Sequence, residues 1–256
     1  MRNKLTLGGL LFTVFLVSVI AHIPAQVIFL FDQKLPKALV VSDVSGSIWN
    51  GKSTNIRWQQ GNRTVDLGAV NWKIDWPALF LGKLALDTRF GQNSSMDLSG
   101  KGKLTLSVGQ IEIDSLTIRF PIDKVVQQLT LPVPYSASGY GMVTAQNFIW
   151  QKEQGLCTSG SGVIQLNNAE LNVLSQEYDL GLVKVNLSCE GSDIAFRGNQ
   201  SSVMLQSGAQ GHIAQRQFGA EGSITPKQNV PSALIDIMQN WPKDGNGYRF
   251  NINRSW

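Results

Sequence analysis

A short phrase built on serine and glycine recurs along the chain, and several copies run into a stretch where every second side chain is apolar. It reads SGSIWNG at Ser45, SGKG at Ser99, SGYG at Ser138, SGSG at Ser159, SGAQG at Ser207 and EGSI at Glu221. GKLTLSV from Gly102 and GVIQLNN from Gly162 show the alternating tail. A period of two gives a strand one apolar and one polar face, whereas a helix repeats every 3.6 residues. Glycine reaches the positive φ angles that tight connections need, so the phrases read as turns that restart a strand unit. The chain is thereby restricted to a mainly β fold. LTLSV and MVTAQNF have a clearly polar second face, which suits an antiparallel sheet with one face in water. The expected architecture is one long, curved antiparallel sheet, half-barrel or groove-like, apolar inside and solvated outside.

Proline marks two or three short helices. In AVNWKIDWPALFLGKLALDTRF, Trp72, Ile74 and Trp76 share one strand face, Pro77 opens a brief apolar helix, and Leu84 to Leu86 resume a strand. IEIDSLTIRFPIDKVVQQL repeats the plan, with Pro121 at the helical start and Val125, Val126 and Leu129 as the buried side. VPSALIDIMQNW places Pro231 at a first helical position and spaces Leu234, Ile237 and Met238 for one face. Pro132 and Pro134 read as a corner of the sheet rather than a domain boundary.

The N-terminal region has a different character. No charged residue lies between Lys4 and Asp32, and LTLGGLLFTVFLVSVIAHI from Leu5 to Ile23 is nearly all apolar. As a helix it would be roughly 29 Å long, about the thickness of the hydrocarbon core. Arg2 and Lys4 precede it, so the positive-inside rule puts residues 1–4 in the cytoplasm, a single span at 5–23 (apolar to about 31), and a β domain at 32–256 outside. The competing reading is a signal peptide cleaved after Ala21, at VIA; the apolar run continues to Phe31, longer than a signal core.

Cys157 and Cys189 both fall in the exported part beside strand-like sequence, where a disulfide is the economical reading. A metal or redox pair fits poorly. There is no CxxC, and the histidines are His22 inside the apolar run and His212 far from the cysteines. A chain that is 43% hydrophobic and 16% charged has the material for a large core. Its formal net charge of +4 falls to +2 without Arg2 and Lys4, and no strand concentrates basic residues as a nucleic-acid site would.

Catalytic signatures are missing from the sequence: there is no GxSxG, HExxH, P-loop or helix-opening GxGxxG. No cofactor or metal is expected, and no enzyme. Glu112 and Asp114 lie two apart, on one face of a strand, as acid and base catalysis would need. Opposite Ile111 and Ile113 they read more simply as a solvated face. Trp49, Trp58, Trp72 and Trp76 are in phase with other apolar residues and read as core or membrane-proximal packing.

The anchor, LPKALVVSDVSGSIWNG, the Trp-rich VNWKIDWPALFLGKLAL, the paired cysteines and the closing GSITPKQNVPSALIDIMQNW together resemble the general secretion pathway protein N family of bacterial type II secretion systems. The resemblance covers nearly the whole chain. It implies a single-pass inner-membrane accessory protein of a Gram-negative bacterium, with a periplasmic β domain and no catalytic residues to carry over. The implied partners are other type II secretion components of the inner membrane and the outer-membrane secretin. Strand phrases of this kind also occur in AsmA-like envelope proteins, which implies an alternative in which the apolar face is a groove that shields or transfers lipid.

Overall fold

The computed structural model describes residues 2–27, 29, 37–61, 63–127, 135–151, 157–173, 176–228, 230 and 232–255. Helix α1 (Arg2–Ala21) opens the chain. The strands that follow are β1 (Leu39–Gly46), β2 (Asn50–Gln60), β3 (Arg63–Asp75), β4 (Leu84–Gln92), β5 (Ser99–Ser107), β6 (Gln110–Pro121), β7 (Tyr135–Gln151) and β8 (Ser159–Val173). Then come β9 (Gln176–Glu190), β10 (Asp193–Ser201), β11 (Leu205–Ala214), β12 (Gln217–Pro226), β13 (Lys243–Asp244) and β14 (Gly247–Ser255). Short helices α2 (Trp76–Phe80), α3 (Ile122–Val126) and α4 (Ser232–Met238) interrupt the series.

Among the described residues the 14 strands form one open antiparallel sheet in the order β1 to β12, then β14 and β13. Each strand up to β12 therefore pairs with its neighbour in sequence, as a meander does. The mainly β fold and the antiparallel pairing are as expected. The corner proposed at Pro132 and Pro134 lies outside the described residues.

The serine-glycine phrases have a different role from the one read in them. Only SGSIWNG spans a hairpin turn, between β1 and β2; the others lie at the start of β5 and β8 or inside β7, β11 and β12. Five of their glycines, Gly51, Gly100, Gly141, Gly211 and Gly222, sit directly across from aromatic residues on neighbouring strands. A Cβ on Gly211 or Gly222 would approach the ring of Phe196 or Phe250 to 2.7 Å, and one on Gly100, Gly141 or Gly51 would strike Phe90, Phe120 or Trp72. The rings lie over bare backbone where any side chain would displace them. Covering a glycine with a cross-strand aromatic is a known device for strengthening a weak sheet position.

Helices α2 and α3 start at the expected prolines, with Pro77 in the first turn of α2 and Pro121 as the N-cap of α3. The buried residue of α3 is Ile122, whereas Val125 is exposed; Leu129 lies outside the described residues. In α4, Met238 is fully buried. Among the described residues no helix is long and apolar enough to cross a membrane.

One device occurs twice. Asp66-Leu67-Gly68 in β3 and Asp179-Leu180-Gly181 in β9 each form a bulge: Arg57 and Ile56 face Asp66 and Gly68, and Glu170 and Ala169 face Asp179 and Gly181. In each the aspartate Oδ1 accepts the amide of the glycine, at 2.9 and 2.7 Å, and the glycine has positive φ. Each bulge is met by a serine-rich turn that follows the adjacent strand, β4 for the first and β10 for the second. Ser94 Oγ accepts from the amides of Met96 and Leu98, and Ser202 Oγ from those of Met204 and Leu205. GQNSSM at Gly91 and GNQSSVM at Gly198 carry the same turn in sequence.

Candidate functional site

Across the hydrogen-bonded register, Val70, Phe90, Gly100, Ile118, Val143, Ile164, Val185, Gly198, Ala209, Gly222 and Phe250 make one unbroken row from β3 to β14. Trp72, Leu116, Leu187, Phe196 and Ile252 belong to the next row on the same face. The opposite face is polar, with Asn71, Arg89, Lys101, Thr117, Thr144, Asn186, Arg197, Gln210, Glu221 and Asn251 in one row. Leu104, Leu106 and Ile164 take the apolar side as the alternation implied. Val163 does not: it pairs with Thr144 and Asn186 in the polar row, because adjacent residues of a strand point to opposite faces.

Among the described residues this apolar face is only partly covered. Leu104, Ile118, Ile164, Leu187, Phe196 and Phe250 are only half-buried. The chain exposes 17101 Å², against about 11,000 Å² expected for a compact monomer of its mass, an excess that includes the exposed circumference of α1 as well as the sheet. Toward the C-terminal end, Trp241 lies over Phe250 with ring centroids 6.0 Å apart. A cleft of about 1120 Å³ opens beside them, lined in part by Ile224, Pro242 and Ile252. Phe196 and Phe218 stack at 5.7 Å nearby.

At the other end of the sheet the β1–β2 hairpin clamps α1. A helix leaves its last carbonyls without partners. Here the indole N–H of Trp49 donates to Ile20 O at 2.8 Å, and the amide of His22 donates to Ser18 O. Ile48 N donates to Ile23 O at 3.0 Å, and Trp72 Nε1 in turn donates to Ile48 O at 3.0 Å. Trp49 and Trp76 pack with centroids 4.2 Å apart. Three of the four tryptophans singled out by their phase thus tie α1 and α2 to the sheet, while Trp58 is exposed on β2.

Cys157 and Cys189 form a disulfide, with Cα atoms 5.9 Å apart and a separation of 32 along the sequence. It fastens the segment before β8 to the end of β9. Closing a loop of this size stabilises a fold by about 3 to 4 kcal/mol in the chain-entropy picture. Exported protein is expected to show no reactive thiol until it is reduced, and Cys189→Ser to lower unfolding free energy by about that amount. Thiol titration and denaturant melts check both; two reactive thiols in exported, unreduced protein would contradict the bond.

Glu112 and Asp114 do not form a working pair. Asp114 sits at a bulge between β5 and β6 and accepts the Thr105 hydroxyl at 3.1 Å, while Glu112 faces Thr105 and Ile149 across the strands. Among the described residues no cluster of His, Cys, Asp and Glu could hold a metal.

The most elaborate polar arrangement surrounds Asp66, which the period-two reading passed over. The residue is 5% exposed. Besides Gly68 N, it accepts from Ser95 N at 3.1 Å and Ser95 Oγ at 2.6 Å, and its carbonyl accepts from Ser94 Oγ at 2.6 Å. Burial pushes the carboxyl up, but the Ser95 hydroxyl, the Gly68 and Ser95 amides and the Arg57 guanidinium outweigh it and hold the group below the ordinary aspartate value of 3.8. The available signal was the repeated Asp-Leu-Gly at 66 and 179, each followed by its serine-rich turn.

The family model for type II secretion system (T2SS), protein N, matches residues 37–251. The chain is 30% identical over 254 residues to the type II secretion system protein N of Vibrio cholerae serotype O1, covering 98% of each chain. It is 24% identical to the protein of that name from Klebsiella pneumoniae, covering 96% of this chain and 94% of the relative. The Aeromonas hydrophila protein is 19% identical, with 91% and 90% covered. No solved structure matches the chain.

Proposed function

Because the chain belongs to the type II secretion system protein N family, we propose that it is a membrane-anchored, non-catalytic accessory component. It helps assemble or stabilise the secretion machinery through its sheet, for export of folded proteins. The observation that carries this reading is the half-exposed apolar face running unbroken from β3 to β14. An isolated domain would gain by sealing such a face, so its openness points to use in contact.

The anchoring part rests on α1. It has 20 residues, about 30 Å of helix, and Leu10, Leu11, Phe12, Val14 and Phe15 are all exposed on successive positions. A helix apolar on every side suits lipid rather than water. With Arg2 and Lys4 before it, the span from Leu5 to Ile23 sets residues 1–4 in the cytoplasm and 32–256 in the periplasm of the inner membrane. Partners are then other inner-membrane secretion components and the outer-membrane secretin.

A second reading is favoured by the same exposed area: the face shields or transfers lipid acyl chains. Replacing Leu187 by glutamine in the chromosomal copy separates the two. The contact reading predicts reduced secretion with protein level and disulfide unchanged, and no lipid carried by the purified full-length protein. Co-purifying lipid, detected by mass spectrometry and lost in the variant, supports the shielding reading. Normal secretion together with no lipid in either protein overturns both.

A further inference from the structure

The end of the sheet that holds α1 carries an unusual set of tips. The β1–β2 hairpin, the α2 connection between β3 and β4, and the β5–β6 turn all lie at this end, since Ile74 N bonds to Trp49 O and Leu84, Leu106 and Ile111 stand in one register row. Phe80 is 87% exposed, Leu81 77% and Val108 101%. From Trp76 to Gly82 the connection holds no charged or polar side chain. Exposed turns normally contain polar residues, so WPALFLG is a misfit in water.

From these tips we infer that this end of the sheet is seated on the bilayer, with Phe80, Leu81 and Val108 dipping into the boundary between headgroups and acyl chains. The inference rests on the reading of α1 as the anchor. Position argues for lipid as the occupant. Trp49 caps the last turn of α1 through Ile20 O and packs on Trp76, the first residue of α2, so the apolar tip adjoins the point where the anchor ends. Tryptophan pairs of this kind favour the headgroup level, one edge apolar and one N–H bonded.

Backbone chemistry agrees. Amides that approach lipid must already be bonded. Leu81 N donates to Ala78 O, Gly82 N to Leu79 O and Lys83 N to Ala78 O, each at 3.0 Å, so the tip brings no free N–H of these residues to the membrane. Charge near the tips is mixed. Lys83 ends the apolar run, and Lys73 and Lys103 flank Asp87 on the polar face a short way up the strands. With Arg89 and Lys101 one row further there are four cations around Asp87, while Asp75 and Glu112 stand in the row nearer the tips. At about 3.3 Å per residue, Lys73 stands roughly 10 Å from Trp76 and Lys103 roughly 17 Å from Val108, so the long lysine side chains point to the level of lipid phosphates. At the opposite end, away from α1, Val203 is 65% exposed on the β10–β11 turn and Leu182 50% exposed on the neighbouring β9.

The test uses full-length, oxidised protein in nanodiscs of phosphatidylethanolamine and phosphatidylglycerol, with single spin labels introduced by Phe80→Cys, Val108→Cys, Val203→Cys or Val14→Cys. Accessibility to dissolved oxygen, which concentrates in lipid, is compared with that to a water-soluble nickel chelate. Labels at 80 and 108 are expected to favour oxygen, inverting the ratio seen at 203. Labels at 80 and 108 that favour nickel, or that neither reagent reaches, overturn the inference while a lipid-embedded label at 14 leaves the anchor intact. A label at 14 that favours nickel overturns the anchor reading and this inference with it. Unchanged melting of Phe80→Ser/Leu81→Ser, with a weaker oxygen signal at 108, is the accompanying result; normal signal at 108 in that variant would show that the tips do not act together.

Discussion

Replacing Asp66 by alanine is expected to destabilise the folded domain by about 2 to 4 kcal/mol, because it leaves buried donors without their acceptor. The amides of Gly68 and Ser95 and the Ser95 hydroxyl all converge on this carboxylate. A serine-rich turn and a bulge from distant parts of the sequence are held together through it. Asp66→Asn should cost nearly as much, since its amide group would turn two N–H donors toward donors already there.

The pH dependence follows from the same geometry. The folded carboxyl titrates below the ordinary aspartate value of 3.8. Its stabilisation is thus complete above the unfolded value and is lost as pH falls through the folded one. Thermal melts should show an acid limb beginning below about 3.8 in the wild type and weakened in Asp66→Asn. An equally steep limb in the variant would mean that other carboxylates govern acid unfolding.

Introducing aspartate at Ile164 is expected to have a comparable effect, of several kcal/mol, through a different term. Ile164 lies between Val143 and Val185 in the middle of the apolar row. An ionised carboxylate there has no partner across either strand, and burying even part of a charge without one is costly. Gln165→Ala, on the opposite face one residue on, should stay within roughly 0.5 kcal/mol. Equal melting temperatures for Ile164→Asp and Gln165→Ala would mean that this face is too open to resist a charge.

Much of the sheet was legible because alternation is a local signal. Leu104 and Leu106 against Lys103 and Thr105 assign their faces without knowledge of any partner strand. Proline was equally direct at Pro77 and Pro121, where its fixed φ opens a helix whatever packs on it. The glycines misled because a glycine beside a serine looks the same in a turn and under a ring. What distinguishes Gly141 is Phe120 on the neighbouring strand, and pairing of that kind is not local. Val163 shows the limit of counting: a β-branched residue in a strand favours that conformation on either face.

The Asp66 knot was hidden for a related reason. Its donors come from residues 94 and 95, and a sequence scan for catalytic carboxylates looks for neighbours two to four apart. Glu112 and Asp114 met that search and proved to be ordinary strand residues, with Asp114 held by Thr105. The clamp on α1 was half visible. The tryptophans could be seen to matter, but the bond from Trp49 to Ile20 joins a strand turn to a helix end that no pattern connects.

The open apolar face is central to this account, and photocrosslinking in secreting cells tests it most directly. A benzophenone amino acid is placed at Leu187 on the apolar face, or at Asn186, its neighbour on the polar face. The account predicts that position 187 yields a defined adduct, to a secretion component or to lipid, while 186 yields markedly less. A silent position 187 beside strong protein adducts from 186 would contradict it, and would make the polar face the working surface.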